Sequence, residues 1–307
     1  MTATFLTRRL VQSAAILFGV AVITFLLLHY LPADPAALIA GRSATAQMIA
    51  NVRHQLGFDL PLPVQFWRYL SGLLQGDLGR SYIQRTDVAP LIVARIPATL
   101  ILMVCGIVIE VALGAVLGTW AALKRNGPVD RIVMILAFTG ISSPQFVVAL
   151  LLLYVFAAHL GWFPMSGFGT PAHVVLPALT LGVLGAGWYA RILRSTMIDV
   201  LNQDYVRTAR AKGLSRARVV LRHALPNALL PIVAMIGIDI GQFMGGVVVV
   251  EAVYGWPGIG QLAWQAIQQV DVPIIMGVTL ISSLAIVIGN LLADVVAPAL
   301  DPRIRGR

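Results

Sequence analysis

The sequence predicts an all-α integral membrane protein with six transmembrane helices. Hydrophobic residues make up 58% of the 307 residues and charged residues only 11%, and the mean hydropathy is +0.86. A soluble domain carries roughly 25% charged residues. The apolar runs lack the apolar and polar alternation of a membrane β-barrel, so a barrel is disfavoured.

Six windows are apolar and long enough to cross a bilayer, which takes about 20 residues. They are residues 10–31, 98–123, 132–158, 174–194, 228–254 and 273–297. The first window follows Arg8 and Arg9, as the core of a signal peptide would, but it exceeds the roughly 7–15 residues of such a core. We therefore interpret it as a retained helix.

The distribution of basic residues predicts the orientation of the chain. Of the 22 Lys and Arg residues, six lie in the long segment 31–97, and segments 159–173 and 255–272 have none. The remaining 16 fall on one side if both termini are cytoplasmic, as the positive-inside rule requires. Because these residues are not gathered on one soluble domain, a nucleic-acid partner is not expected.

These windows divide the chain into four regions. Residues 1–31 hold the N terminus and the first helix, 32–97 form an extracytoplasmic region, 98–297 form the core with helices 2–6, and 298–307 form a cytoplasmic tail. Within the second region, residues 43–57 predict a short helix that Ser43 caps and Gly57 ends. The aromatic residues Phe66, Trp67 and Tyr69 suit a membrane interface. We expect a compact scoop rather than a flexible linker.

The chain lacks the motifs of the common catalytic sites. A phosphate-binding loop ends in Gly-Lys-Ser/Thr, whereas Lys124 and Lys212 follow Leu123 and Ala211. The glycine pair at 185–187 lies in an apolar span without a preceding strand, so its likeness to a dinucleotide fingerprint carries no weight. No Gly-x-Ser-x-Gly occurs, the histidines are scattered, and Cys105 has no partner. We predict no catalytic residue, metal site or cofactor in this chain.

A basic segment from Asp204 to Pro231 separates two of the windows and is the most distinctive part of the sequence. Its arginines keep it in water, and the orientation places it, as part of segment 195–227, in the cytoplasm. Ala209 and Gly213 would lie one turn apart on a helix and leave a small surface for close approach. Pro226 is expected to end the helical segment. The pattern favours a docking element, and the alternative is a solvated loop that only obeys the positive-inside rule.

Small and polar residues mark several positions inside the predicted spans. Gly114 and Gly118, and the glycines at 237, 241 and 245, are expected to let helices approach closely. Ionisable groups such as Glu110 are costly at membrane depth and face the bundle interior or a watery cavity. Translocation and interhelical hydrogen bonding both stay open for the polar candidates, which are Ser142, Ser143, Gln145, Asp239, Gln242, Glu251, Asn290 and Asp294.

The basic segment resembles the coupling motif of binding-protein-dependent ABC importer permeases. Their pattern is Glu-Ala-Ala, three residues, Gly, nine residues, Ile-x-Leu-Pro; Ala209, Gly213, Leu225 and Pro226 fall on it. The positions that depart from it are Arg207, Thr208 and His223. These departures are similar to the peptide-importer branch, which reads D-Y-x-R-T-A-R-A-K-G.

Further blocks extend the resemblance over nearly the whole chain. They are Leu56–Phe66, Gly76–Ser81, Val247–Leu262, Asn290–Asp294 and Asp301–Arg305. One local departure is Val270-Asp271-Val272-Pro273, where relatives often have Arg-Asp-Tyr-Pro. A contact made there by the Arg or Tyr is not expected in this chain.

The resemblance implies a type I ABC importer permease fold with an extracytoplasmic scoop after helix 1 and cytoplasmic coupling helices between helices 4 and 5. It implies a non-hydrolytic subunit that forms half of a translocation pathway for dipeptides, oligopeptides or glutathione in the bacterial cytoplasmic membrane. The implied partners are a second homologous permease in a heterodimer, two cytoplasmic ATPases that bind ATP and Mg, an extracytoplasmic binding protein and the lipid bilayer. The residues expected to couple to the ATPases are Tyr205, Arg207, Thr208, Ala209, Arg210, Ala211, Lys212, Gly213, Leu214, Leu225 and Pro226.

Two alternative functions stay open at this point. A nickel importer permease would share the same motifs, because the metal can be held by the binding protein. A secondary transporter would couple transport to ions through its buried acids, often with inverted repeats. No such repeat is evident in the sequence, and the docking segment would then have no explanation.

Overall fold

The computed structural model describes residues 3–30, 35–41, 44–244 and 247–300, and within these ranges it omits the side chains of residues 3–6, 28–30, 35, 38, 56 and 293–300. The described chain is helical and has no strand, apart from an isolated bridge between Arg80 and Asp87. Ser43, residue 245, the side chain of Asp294 and the block Asp301–Arg305 lie outside what is described.

The helices alternate between long apolar rods and short connecting elements. In chain order they are α1 (Ala3–Tyr30), α2 (Pro35–Ala40), α3 (Ala46–Leu56), α4 (Leu62–Leu74), α5 (Val88–Leu123), α6 (Pro128–Ser142), α7 (Gln145–Leu152), α8 (Pro171–Leu201), α9 (Asp204–Ala211), α10 (Arg216–Arg218), α11 (Leu225–Ala228), α12 (Leu230–Met244), α13 (Val248–Val253), α14 (Ile259–Gln269) and α15 (Val272–Leu300). Two π-helical stretches, Leu153–His159 and Val219–Ala224, extend α7 and join α10 to α11.

Four helices are long and apolar enough to cross a membrane as continuous spans: Thr7–Leu27 of α1, then α5, α8, and Val272–Leu292 of α15. Two further helix pairs are long and apolar enough only when taken together, and each pair is bent at a short break. The helices Pro128–Ser142 and Gln145–His159 meet at 105°, and Arg216–Ala228 and Leu230–Met244 meet at 47°. If each bent pair counts as one span, the described residues contain the six that the sequence predicts.

Both broken spans differ from the predicted windows in form. The window 132–158 turns sharply at Ser143 and Pro144, because proline removes a backbone donor and disfavours helical geometry in the residue before it. The window 228–254 ends early, since α12 stops at Met244 and Val248–Val253 is a separate short helix.

Small residues bring the long helices into close contact, as the sequence predicts. Gly114 of α5 lies against Tyr189 of α8, and a Cβ on Gly118 would lie 2.6 Å from the carbonyl oxygen of Ala190. Gly241 of α12 faces α15, where a Cβ on Gly289 would lie 3.1 Å from the Gly241 nitrogen. Any side chain at these points would push the helices apart.

The segment between the first two spans is built from α2, α3 and α4. Thr45, and not the expected Ser43, caps α3 by accepting a hydrogen bond from the Met48 nitrogen at 3.3 Å. Gly57 ends α3 in the left-handed conformation with φ of 73°, as predicted. The expected interface aromatics separate, since Phe66 packs on Phe25 of α1 with ring centroids 5.2 Å apart, whereas Trp67 is exposed. This packing fastens α4 to the first span.

Candidate coupling surface and translocation path

The basic segment folds into a short helix whose apolar face is turned inward. Val206 and Ala209 of α9 are buried against Val219 and Leu214. The helix ends at Ala211, and Gly213 follows the cap with φ of +76°, a conformation that favours glycine. Ala209 and Gly213 therefore do not form one small helical face. Burial of an apolar face is the main source of stability for a helix this short, which explains why Ala209 points into the chain.

The outward face of α9 is polar and cationic. Thr208 donates to the carbonyl oxygen of Asp204 at 2.9 Å, and Arg207 lies 3.5 Å from the Asp204 carboxylate. Two apolar coupling candidates, Leu214 and Leu225, are half-buried. The exposed coupling candidates are Tyr205, Arg207, Thr208, Arg210, Ala211, Lys212, Gly213 and Pro226.

Two hydrogen bonds tie this segment to its surroundings, and a third links two of its own parts. Arg216 donates to the carbonyl oxygen of Leu123 at the end of α5 at 3.2 Å, and Arg210 donates to that of Leu201 at the end of α8 at 3.4 Å. The Tyr205 hydroxyl donates to the His223 carbonyl oxygen at 3.4 Å. A cleft of about 490 Å³ lies between Arg210, Arg216 and the ends of α5 and α8. The basic segment is therefore hydrogen-bonded to the ends of two long spans, through α9 to α8 and through α10 to α5.

The expectation that Pro226 ends the helical segment is wrong. The backbone runs through it as a helical path from Arg216 to Ala228 and then bends into α12. Pro226 occupies the start of α11, directly after the π-helical stretch Val219–Ala224. The missing proline N–H is tolerated because the wider π turn precedes it and because the first turn of a helix leaves such donors unused.

Asp239 takes part in hydrogen bonding between helices. The Tyr189 hydroxyl of α8 donates to the Asp239 carboxylate of α12. Glu110 of α5 is 3% exposed, lies over Gly185 and is within electrostatic range of Asp239. The Tyr189–Asp239 hydrogen bond links α8 to α12, Glu110 of α5 lies nearby, and Gln242 on α12 is exposed.

Glu251 supports a turn and does not face a path in this conformation. It is fully buried, and its carboxylate accepts hydrogen bonds from Thr99 at 3.0 Å and from the Gln261 nitrogen at 2.8 Å. Thr99 also accepts from the Ile259 nitrogen at 2.9 Å, and a Cβ on Gly258 would overlap the carboxylate. The Val247–Leu262 block thus folds α13 and the start of α14 around one buried acid against α5.

The remaining polar candidates lie in two places. Ser142 and Gln145 are exposed at the 105° break, and Ser143 donates to the Thr139 carbonyl oxygen at 2.7 Å. Non-helical backbone at membrane depth is tolerated where protein covers it or where it lines a watery cavity. Asn290 instead lines a groove of about 440 Å³ with Arg9 and neighbouring polar residues of α1. The structure therefore does not gather the polar candidates into one site.

Sequence reasoning missed another buried acid, Asp271, which immediately precedes α15. Its carboxylate accepts hydrogen bonds from the Ser81 hydroxyl, from the Tyr82 nitrogen at 3.2 Å and from the Ile83 nitrogen at 3.3 Å. Burial and the nearby Asp271 charge raise the pKa of the Tyr82 hydroxyl above its usual value, so this hydroxyl stays neutral. The only sequence signal was the position of Asp271 inside the Val270–Pro273 block.

Long apolar helices, bent helix pairs and a polar helical segment that is hydrogen-bonded to two spans define a polytopic α-helical membrane protein. The chain belongs to the family of binding-protein-dependent transport system inner membrane components, which matches residues 114–306. The N-terminal membrane component model of the same transport systems matches residues 2–103. The protein is thus a multi-pass inner membrane permease component of an ABC importer.

Curated relatives match along nearly the whole chain. The glutathione transport system permease protein GsiC of Salmonella paratyphi A is 46% identical over 98% of both chains. The GsiC protein of Escherichia coli K12 is 45% identical, again over 98% of both chains.

Solved structures support the fold. The inward-facing MetNI methionine ABC transporter aligns with a TM-score of 0.58 and 19% identity, covering 68% of this chain and 96% of the matched chain. An amino acid ABC transporter aligns with a TM-score of 0.51 over 70% of this chain and 94% of that chain. These two likenesses confirm the predicted ABC importer permease architecture.

Proposed function

We propose that this chain is the permease subunit of an ATP-driven importer for short peptides, with glutathione as the first candidate substrate. The observation that carries this proposal is the identity of 46% with a glutathione permease over 98% of both chains. At that identity and coverage, the spans, the connecting helices and the basic segment all have counterparts in the relative.

The energy source in this proposal is a pair of cytoplasmic ATPases, which bind ATP and Mg, and the permease itself does not hydrolyse nucleotide. The sequence supports this division because neither lysine ends a glycine-rich phosphate loop. The exposed cationic face of α9, the hydrogen bond from α9 to the end of α8 and the hydrogen bond from α10 to the end of α5 suit a dock that transmits movement. A second homologous permease would complete the pathway, and an extracytoplasmic binding protein would deliver the substrate.

In the proposed orientation both termini and the basic segment lie in the cytoplasm, and α2–α4 lie outside. The count of Lys and Arg residues in the connections supports it. The same orientation puts the coupling candidates on the side where ATP is available.

The decisive experiment is reconstitution of the full complex in liposomes with its binding protein, followed by measurement of uptake and ATP hydrolysis. Glutathione, a dipeptide, a longer peptide and nickel are compared at equal concentrations. We expect glutathione or another short peptide to stimulate ATP hydrolysis and to accumulate only when ATP is inside. Stimulation by nickel alone, or accumulation driven by an ion gradient without ATP, would contradict the proposal.

A further inference from the structure

A cavity in the described part of the chain lies between α4, the loop from Asp77 to Asp87 and the first turn of α15. Its volume is about 700 Å³, within the roughly 300–1,000 Å³ that ligand pockets occupy. It is separate from the basic segment and from the bend at Pro144. The proposed orientation places it on the extracytoplasmic side.

Three arginines converge on this cavity, Arg68 from α4 and Arg80 and Arg85 from the loop. Within the described residues none of the three has an ion-pair partner. The acidic residue of the lining, Asp77, accepts a hydrogen bond from the Gly79 nitrogen at 2.8 Å. Three cations and one anion line the cavity, and one further carboxylate, that of Asp271, lies directly behind the loop, so the net charge of this region stays positive.

Hydrogen bonds to Arg85 and to Asp271 fix the conformation of the loop. Arg80 donates through Nε to the Arg85 carbonyl oxygen at 2.9 Å, which ties one end of the loop to the other. Asp271 holds the intervening turn through the Ser81 hydroxyl and the Tyr82 nitrogen. Like charges held together without a partner cost free energy, so this geometry is suited to an anionic ligand.

The rest of the wall suits an organic anion. The rings of Phe58, Tyr69 and Tyr82 and the side chain of Met276 line the cavity beside the arginines. The Tyr69 hydroxyl is hydrogen-bonded to Thr24 of α1 at 3.0 Å, which fixes its ring. Guanidinium groups pair with carboxylates through two parallel hydrogen bonds, and the aromatic wall can cover an apolar side chain.

We propose that this cavity is a carboxylate-binding subsite that takes the transported peptide before it enters the membrane path. The inference rests on the proposed function for the identity of the ligand, and on the three arginines for its chemistry. Glutathione, with two carboxylates, is the ligand of choice for the test.

The test is ligand-observed saturation-transfer NMR of glutathione on the complete complex in nanodiscs without its binding protein. Signal transfer to glutathione is expected from the wild type, and no transfer is expected to glutathione esterified at both carboxylates. Arg68→Gln combined with Arg85→Asn should weaken glutathione binding at least tenfold, since each lost charge-assisted pair is worth about that factor. Arg131→Gln, at an exposed arginine on α6, removes one positive charge elsewhere and should have no effect.

The Arg68→Gln single variant is the control for misfolding. It is expected to fold normally, because the Arg68 guanidinium makes no hydrogen bond within the described chain. Arg68→Lys should retain part of the affinity. Equal signal transfer to the diester, no transfer to glutathione, or unchanged affinity in the double variant would overturn the subsite. A double variant that loses binding-protein docking but keeps an unchanged glutathione signal would also overturn the subsite.

The uptake assay separates this inference from the proposed function. Arginine-dependent glutathione binding without any ATP-driven glutathione uptake would remove the proposed function and leave the subsite standing. Normal uptake with no arginine-dependent binding would remove the subsite and leave the proposed function standing.

Discussion

At the scale of single residues, glycines decide how closely the spans can pack around buried polar groups. Gly185 of α8 lies directly under the Glu110 carboxyl group, and a Cβ at this position would overlap it. Gly185→Ala is therefore expected to lower the free energy of unfolding by about 1–3 kcal/mol, the usual cost of overpacking. Thermal unfolding of the detergent-solubilised complex measures the effect.

The matched control for that substitution is Gly19→Ala in α1, where no atom lies within 4 Å of the added Cβ. Alanine favours a helix over glycine, so Gly19→Ala should leave the melting temperature unchanged or raise it. Equal effects of the two substitutions would mean that Glu110 does not occupy the position over Gly185.

A second residue-scale prediction concerns Val270, which ends α14 in the left-handed conformation with φ of 57°. A β-branched side chain is unfavourable there, by roughly 1–2 kcal/mol, and glycine is the usual residue at such a helix end. Val270→Gly should raise the melting temperature, and Val270→Asn should do so by less.

The reverse substitution provides the control. Gly161 has φ of +65° and open space around its Cβ position, so Gly161→Val adds only the backbone cost. It should lower the melting temperature. If Val270→Gly also lowers it, packing of the valine side chain outweighs the backbone strain.

At the scale of elements, α9 sets the shape of the proposed ATPase dock. Gly213 is a poor site for a test, because its positive φ would strain any other residue. Ala211 is exposed, helical and directed away from the cluster of Val206 and Ala209. Ala211→Trp is expected to block close approach of an ATPase while leaving α9 folded.

The measurement is co-purification of the ATPases with the permease, together with peptide uptake. We expect both to fall at least tenfold in Ala211→Trp, an effect of about 1.4 kcal/mol or more on the association. Ala50→Trp, on the exposed face of α3, adds the same bulk on what the proposed orientation makes the opposite side of the membrane. Equal co-purification in the two variants would contradict the assignment of α9 as the dock.

At the scale of the whole molecule, sequence patterns predicted what depends on period and composition. The apolar windows located the spans, and small residues such as Gly114 and Gly118 predicted where α5 and α8 meet. Tertiary contacts decided the rest. Ala209 points inward because a short helix must bury its apolar face. Asp271 accepts hydrogen bonds from residues 81–83, which lie about 190 positions earlier in the chain. No spacing rule detects contacts so distant along the chain.

The orientation of the molecule is open to a direct test, since the sequence has a single cysteine, Cys105, inside α5. In a Cys105→Ala background, Ala50→Cys on α3 and Ala217→Cys on α10 each provide one exposed thiol. Because the positive-inside rule places α10 in the cytoplasm, a membrane-impermeant maleimide added to intact cells should label Ala50→Cys and leave Ala217→Cys unlabelled. Permeabilisation should then expose Ala217→Cys, which shows that its thiol is reactive. Labelling of Ala217→Cys in intact cells would reverse the topology and place the basic segment beyond the reach of any cytoplasmic ATPase.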